Sequence, residues 1–122
     1  MLLMLKKPNS DPAGCTADIL ALQDTLGILG GKWTLLILHY LLVREDEVVT
    51  FKKMEKDLVG ISAKVLTATL KLLEENKLIQ REVLETRPIK VQYSITPYGR
   101  EIQELLQVMV KWGRTHRLHI MQ

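Results

Sequence analysis

Cysteine is almost absent: Cys15 is the only one in 122 residues. A single thiol excludes an intrachain disulfide framework and suits a reducing cytosol. No apolar run reaches the length that spans a bilayer. The opening Met1-Leu2-Leu3-Met4-Leu5-Lys6-Lys7 is apolar before it is basic, the reverse of a secretory leader, so no export signal is read there. There is no nucleophile–base set, no phosphate-cradling glycine loop and no metal-ligand cluster. Gly30-Gly31-Lys32 leads into a helix but lacks the spacing of a P-loop. His116 and His119 stand at i and i+3 with no carboxylate or thiol to complete a site. An enzyme, a cofactor, a metal centre and a membrane partner are therefore not expected. The excess of one sign of charge is also small, 17 Lys and Arg against 14 Asp and Glu. A net +3 allows a polyanionic partner without requiring one.

What is present is enough apolar residue for a core, and more. The length predicts one domain, and a hydrophobic fraction of 47% leaves a surplus that is read as an oligomer interface. The pattern is clearest from Phe51 to Glu75. Leu66, Leu70 and Leu73 recur at helical spacing and mark a buried face. The opposite face carries Ala63, Lys64, Thr67, Ala68 and Lys71, and no acid appears before Glu74. Ser62 caps this helix, and Val59-Gly60 ends the preceding one, Phe51 to Leu58. The pair reads as a helix-turn-helix. Its acid-free face could enter a major groove, lysine meeting phosphate, threonine donating to phosphate or base edges, and alanine touching thymine methyls. An ordinary amphipathic helix pair with a solvated outer face is the plainer alternative.

The remaining chain falls into order around that pair. Residues 1–14, rich in breakers, are expected to form a flexible arm, from which Leu2, Leu3 and Leu5 could dock on a partner subunit. Cys15 or Thr16 opens a first helix, about residues 16–27, with Ile19, Leu22 and Leu26 on its apolar side. A thiol there feels the positive end of the helix dipole, which Asp18 opposes, and is a candidate oxidant sensor or simply a small semi-buried residue. Gly27 to Gly31 interrupts the pattern before a helix from Lys32 to Leu42. Its expected buried stripe is Trp33, Leu36, Ile37, Tyr40 and Leu41, with His39 exposed. Val48-Val49-Thr50 suggests a short strand, with Thr50 capping the next helix. Lys52, Lys53 and Lys56 on that helix are either DNA-backbone contacts or part of a solvated face. From Leu78 to Thr96 the period changes to two, giving a β-hairpin with its tip at Thr86-Arg87-Pro88-Ile89. Arg87 and Lys90 lie where a hairpin could reach a minor groove or phosphates. Thr96-Pro97 should start a last helix, about 97–118, with the stripe Ile102, Leu105, Leu106, Met109, Val110 and Trp112. That stripe is too wide for one small domain to cover. Leu105, Met109 and Trp112, with Ile19, Leu22 and Leu26, are the candidate dimer interface.

The order helix, helix, helix-turn-helix, hairpin, long helix is that of a winged helix, mainly α with a small β-hairpin. Gly30-Gly31-Lys32-Trp33-Thr34-Leu35-Leu36-Ile37-Leu38, Phe51-Lys52-Lys53-Met54, Gly60-Ile61-Ser62-Ala63-Lys64-Val65-Leu66-Thr67, Leu70-Lys71-Leu72-Leu73-Glu74, the segment Pro88 to Thr96, and Trp112-Gly113 together resemble the HxlR-type winged-helix regulators. The resemblance runs from about Cys15 to His116. It implies a bacterial homodimer on a pseudo-palindromic double-stranded DNA operator, joined through its first and last helices. It implies a recognition helix from Ser62 to Glu75 and a hairpin acting as the wing. It also places Cys15 where several members carry a thiol that senses oxidants, electrophiles or disulfide stress, sometimes through a low-molecular-weight thiol. There are two departures. Asn76-Lys77 replaces a frequent glycine, asparagine being tolerant of a left-handed cap, and Gln92 replaces a frequent acid. Two rivals remain: a protein-interaction module without a DNA role, and a ligand-gated regulator with a pocket near Trp33, Met109 and Trp112.

Overall fold

A computed structural model describes residues 12–122. Most of the expected arm, with Leu2, Leu3 and Leu5, lies outside the described residues. The chain falls into two units, one ending at Gly31 and one running from Lys32 to Gln122.

In the first unit, a 3-10 turn at Pro12–Gly14 leads into α1, Cys15–Leu29. The helix does not stop at Gly27. An isolated interior glycine costs only about 1 kcal/mol, and the helix runs on to Gly30, whose N–H reaches the Leu26 carbonyl at 2.8 Å.

The second unit begins with α2, Thr34–Val43, which starts after Trp33 rather than at Lys32. Its buried side chains are Thr34, Ile37, Leu38, Tyr40 and Leu41. Leu36, expected in the stripe, is 48% exposed, and Leu38 takes its place at 0%. The run Leu35-Leu36-Ile37-Leu38 is apolar all round, so periodicity could not choose its inner face. Val48 to Thr50 does not form the expected strand. It is joined to the sheet by one bond, from the Tyr93 N–H to the Val49 carbonyl at 2.8 Å. Thr50 caps the next helix as expected: its Oγ1 accepts from the Lys53 N–H, opening α3, Phe51–Asp57.

The turn after α3 is made by Gly60 at φ 96°, a conformation that costs glycine little and other residues much. The Trp33 ring closes over this turn, about 3.9 Å from where a Cβ on Gly60 would stand. Ser62 Oγ then accepts from the Val65 N–H at 3.1 Å and opens α4, Ala63–Glu75. The left-handed residue that ends α4 is Lys77, φ 63°, and not Asn76. Around it the Leu78 N–H bonds the Leu73 carbonyl at 3.0 Å and the Lys77 N–H bonds the Glu74 carbonyl at 2.9 Å. That is a Schellman turn with Leu73 and Leu78 as its apolar pair. Asn76 contributes by a side-chain bond from Nδ2 to the Leu72 carbonyl.

Strands β1, Ile79–Leu84, and β2, Lys90–Ile95, pair antiparallel with Ile79 opposite Ile95 and Val83 opposite Val91. Gln92 faces Glu82, and its Nε2 donates to Glu82 Oε1 at 2.7 Å. An acid at position 92 would set two carboxylates directly opposite each other. The last helix starts later than Thr96-Pro97 suggests. Thr96 Oγ1 does accept from the Gly99 N–H at 2.8 Å, but what it caps is a 3-10 turn, Gly99–Ile102, and α5 spans Gln103–Ile120. Gly99 lies against the hairpin base, where a Cβ would fall 1.9 Å from the Leu78 carbonyl oxygen. Arg100 pairs with Glu45 and fastens the same turn to the loop after α2.

α2 packs on β2 and α5, α3 on β2, and α4 on β1. The core of this unit is Ile37, Leu38, Leu41, Val49, Met54, Leu66, Leu73 and Ile79, all nearly solvent-free. The fold is thus a winged helix-turn-helix, mainly helical with a two-stranded hairpin. Among the described residues no single helix is long and apolar enough to cross a membrane.

Candidate nucleic-acid interface

α4 is held by Leu66, Leu70 and Leu73, which are buried, and this turns Ala63, Lys64, Thr67, Ala68 and Lys71 outward, all exposed. Lys64 and Lys71 stand seven residues apart, ~10 Å along the axis, on one side. Neither enters an ion pair among the described residues, so both ammonium groups are available to an anion. The Thr67 hydroxyl donates to the Ala63 carbonyl at 2.8 Å. Its hydrogen is therefore committed to the helix, and Thr67 offers an acceptor and a methyl rather than the expected donor. Ser62 accepts its capping bond, which leaves its O–H to donate outward.

Two apolar neighbours of this face escaped the sequence reading. Val59, in the turn, is 87% exposed, and Val65 is 40% exposed. A valine beside a helix-ending glycine looks like core. The available signal was that neither residue shares the spacing of Leu66, Leu70 and Leu73.

The lysines of α3 divide. Lys52 and Lys56 are exposed. Lys53 is engaged within the chain, 3.6 Å from Glu47 and 3.9 Å from Asp57. Asp57 also accepts from the Tyr40 hydroxyl at 2.6 Å, tying α3 to α2, and the Arg44 guanidinium lies 3.8 Å over the Tyr40 ring. This pairing of residues 40 and 57 has no local sequence signal. Burial, and then the bond to Asp57, push the Tyr40 phenol up to about 12. The same bond, with help from Lys53, holds the Asp57 carboxyl below its ordinary range. Tyr40→Phe should cost about 1 kcal/mol at neutral pH. The phenol's folded value is raised, so its contribution is complete below pH 10, the ordinary value, and is lost as pH rises through about 12. Denaturant melts of both proteins from pH 7 upward should converge as pH approaches 12.

At the hairpin tip the Thr86 hydroxyl donates to the Pro88 carbonyl at 2.7 Å. Arg87 and Lys90 are exposed there, and neither forms an ion pair among the described residues. The outer face of α4 and the hairpin tip belong to the same unit, in which α4 packs on β1.

Cys15 is the first residue of α1 and is exposed. Ile19, Leu22 and Leu26 on α1, and Leu105, Met109 and Trp112 on α5, are all exposed within one chain. Of the α5 stripe only Leu106 is buried. Trp112 is 65% exposed and stacks on His116 with centroids 4.7 Å apart. Trp33 rests on the Gly60 turn. Among the described residues no group of His, Cys, Asp and Glu could hold a metal ion.

The arrangement presents cations, a hydroxyl and methyl groups on a protruding helix, with a cationic hairpin tip in the same unit. Known proteins are similar in sequence and fold. A family profile described as HxlR-like helix-turn-helix matches residues 28–121. The HTH-type transcriptional regulator YdeP of Bacillus subtilis (strain 168) is 34% identical over 109 residues, 89% of this chain and 79% of that protein. The HTH-type transcriptional regulator YodB of the same strain is 35% identical over 92 residues, 75% of this chain and 80% of that one. Among solved structures, the redox regulator HypR in its reduced form superposes with a TM-score of 0.71 at 30% identity, covering 80% of this chain and 93% of that chain. The quinone-bound YodB of B. subtilis gives 0.64 at 30% identity, covering 78% and 97%.

Proposed function

The chain belongs to the HxlR-like helix-turn-helix family of transcriptional regulators, and we propose on that premise that it binds a pseudo-palindromic operator as a homodimer. The observation that carries this reading is the acid-free outer face of α4. Each protomer inserts α4 into a major groove, with half-site centres ~34 Å apart or a multiple of that. Lys64 and Lys71 meet phosphates or base edges. Ser62 donates, Ala63, Ala68 and the Thr67 methyl make apolar contact, and Arg87 and Lys90 serve as wing contacts. The exposed rows on α1 and α5 join the protomers.

Cys15 is proposed as the regulatory thiol. Support comes from its exposed place at the head of α1 and from relatives described as a redox regulator and as a quinone-bound regulator. Two routes are open. Two Cys15 thiols lose two electrons and two protons to an oxidant and join across the dimer, which requires Cα atoms within about 7 Å. Alternatively, one thiolate adds to an electrophile or exchanges with a small disulfide. The second reading, gating by a small molecule with Cys15 uninvolved, predicts the same DNA binding without oxidant response.

The test is binding of the purified chain to its own upstream DNA at two salt concentrations, reduced and diamide-treated, with Cys15→Ser alongside. Salt-dependent specific binding that changes on oxidation in the wild type alone is the expected result. Binding indifferent to oxidant, or a Cys15→Ser protein that still responds, removes the thiol. Absence of salt-dependent binding removes the DNA role.

A further inference from the structure

What α4 can read is set by what it lacks. From Ala63 to Glu75 there is no arginine, asparagine or glutamine, the side chains that pair bidentately with guanine or adenine edges. Its two threonine hydroxyls are spent on the helix itself. Thr67 donates to the Ala63 carbonyl at 2.8 Å, and Thr69 to the Val65 carbonyl at 2.7 Å. Donation from α4 to a base is therefore left to Lys64 and Lys71. Methyl groups are in better supply. Val59, in the turn before α4, and Val65, in its first turn, are both exposed. Val65 stands three residues before Ala68, so the two are neighbours on the helix surface. The Gly60 turn beside Val59 is backed by the Trp33 ring. A recognition helix meets base edges chiefly with its N-terminal residues, and that is the end the two valines flank. The group in a major groove that an apolar side chain can read is the methyl of thymine.

We propose that Val59 and Val65 are specificity-determining residues that read thymine methyls, so that each half-site carries thymine where the start of α4 meets it. The inference rests on the DNA-binding reading and names the base which that reading leaves open. The occupant of this apolar edge is the duplex that Lys64 and Lys71 attract, because valines and unpaired lysines share one short segment. The lysines supply attraction to phosphate or guanine. The valines choose among base pairs by the methyl, with no hydrogen bond at stake.

The probe is the duplex that the full chain protects in its own upstream DNA, remade with deoxyuridine for thymidine at one position of each half-site at a time. Uracil keeps every hydrogen-bonding group of thymine and lacks only the methyl. Anisotropy titrations of the wild type, Val59→Ala and Val65→Ala against each duplex give the coupling between side chain and methyl. Both valines are exposed and alanine favours helix, so the variants should melt cooperatively. At the contacted positions uracil should weaken the wild type about fourfold for each methyl, and about tenfold or more with both half-sites altered. Each variant should bind thymine and uracil alike at the position its valine reads. A general loss of folding or affinity would not produce that pattern. A wild type that tolerates uracil at every position, with salt-dependent specific binding intact, overturns the proposal and keeps the DNA reading. A valine whose replacement leaves every uracil penalty unchanged is struck from the assignment. A chain that binds neither duplex specifically overturns both readings.

Discussion

Lys64→Glu/Lys71→Glu is expected to lower operator affinity by roughly two to four orders of magnitude for each half-site engaged. Each lysine stands to make a charge-assisted contact worth about 1.5–3 kcal/mol, and each 1.4 kcal/mol is about tenfold. Reversal also places a carboxylate against the phosphate backbone, which moves the result toward the upper end. The protein itself should survive. Both side chains are exposed, and neither takes part in an ion pair among the described residues. A glutamate at position 64, in the first turn of α4, suits the positive end of the helix dipole. A glutamate at position 71 faces Glu74 and Glu75 at i+3 and i+4, a cost of about 0.5 kcal/mol per like-charged pair. Far-ultraviolet circular dichroism and a thermal melt should therefore stay close to wild type.

The single variants divide the effect by mechanism. If Lys64 meets a phosphate, Lys64→Ala weakens all sequences alike and reduces the log–log salt slope by about one for each protomer bound. If it meets a base edge, the loss is about 1–3 kcal/mol, concentrated at one operator position, and the slope changes less. Anisotropy titrations on the operator and on a scrambled duplex, at several salt concentrations, separate the two. Wild-type affinity in the double variant would remove α4 from the interface.

How far the sequence could be read depended on contrast along each helix. α4 was legible because Ser62 is a good cap and Leu66, Leu70 and Leu73 stand opposite a face of small, hydroxylated and cationic residues. α2 offered no such contrast, and so the exchange of Leu36 for Leu38 could not be foreseen. The hairpin was legible in its alternation, and its register follows from pairing Ile79 with Ile95. The start of α5 misled for a subtler reason. Thr96 does cap, but Gly99 must pass against the Leu78 carbonyl, and the chain completes that passage as a 3-10 turn before the α-helix begins. The left-handed position fell on Lys77 because the Schellman bonds count from Leu73 and Glu74, a registration that asparagine's tolerance alone does not decide. Side-chain chemistry was least legible. The Thr67 hydroxyl is spent on its own helix, and Tyr40 reaches Asp57 across a distance in sequence that no motif spans, although the Lys53–Asp57 pair that joins them is an ordinary i, i+4 contact.

Met109→Glu/Trp112→Glu should yield a monomer. Leu105, Met109 and Trp112 recur at i, i+4 and i+7, one stripe of α5, and all three are exposed in the single chain. Ile19, Leu22 and Leu26 make a comparable row on α1, exposed as well. An exposed apolar row of this kind on a helix marks an interaction site rather than ordinary solvent-facing surface. Two buried carboxylates facing their symmetry mates could not both be solvated or paired, so association should fail outright. Glutamate is a good helix former, and Leu106, the residue that fastens α5 to its own chain, is untouched. The monomer should therefore stay folded in the unit from Lys32 to Gln122. Sedimentation velocity would report the change in mass. Operator binding should fall by roughly two orders of magnitude or more, because the second half-site is no longer engaged at high effective concentration. The two losses differ in form. The α4 variant remains a dimer and loses salt dependence in proportion to the contacts removed. The α5 variant keeps its contacts per protomer, binds an isolated half-site as well as the wild-type protomer does, and loses only the advantage of the second. A Met109→Glu/Trp112→Glu protein that still sediments as a dimer would place the interface elsewhere and leave the exposed stripe of α5 to another partner.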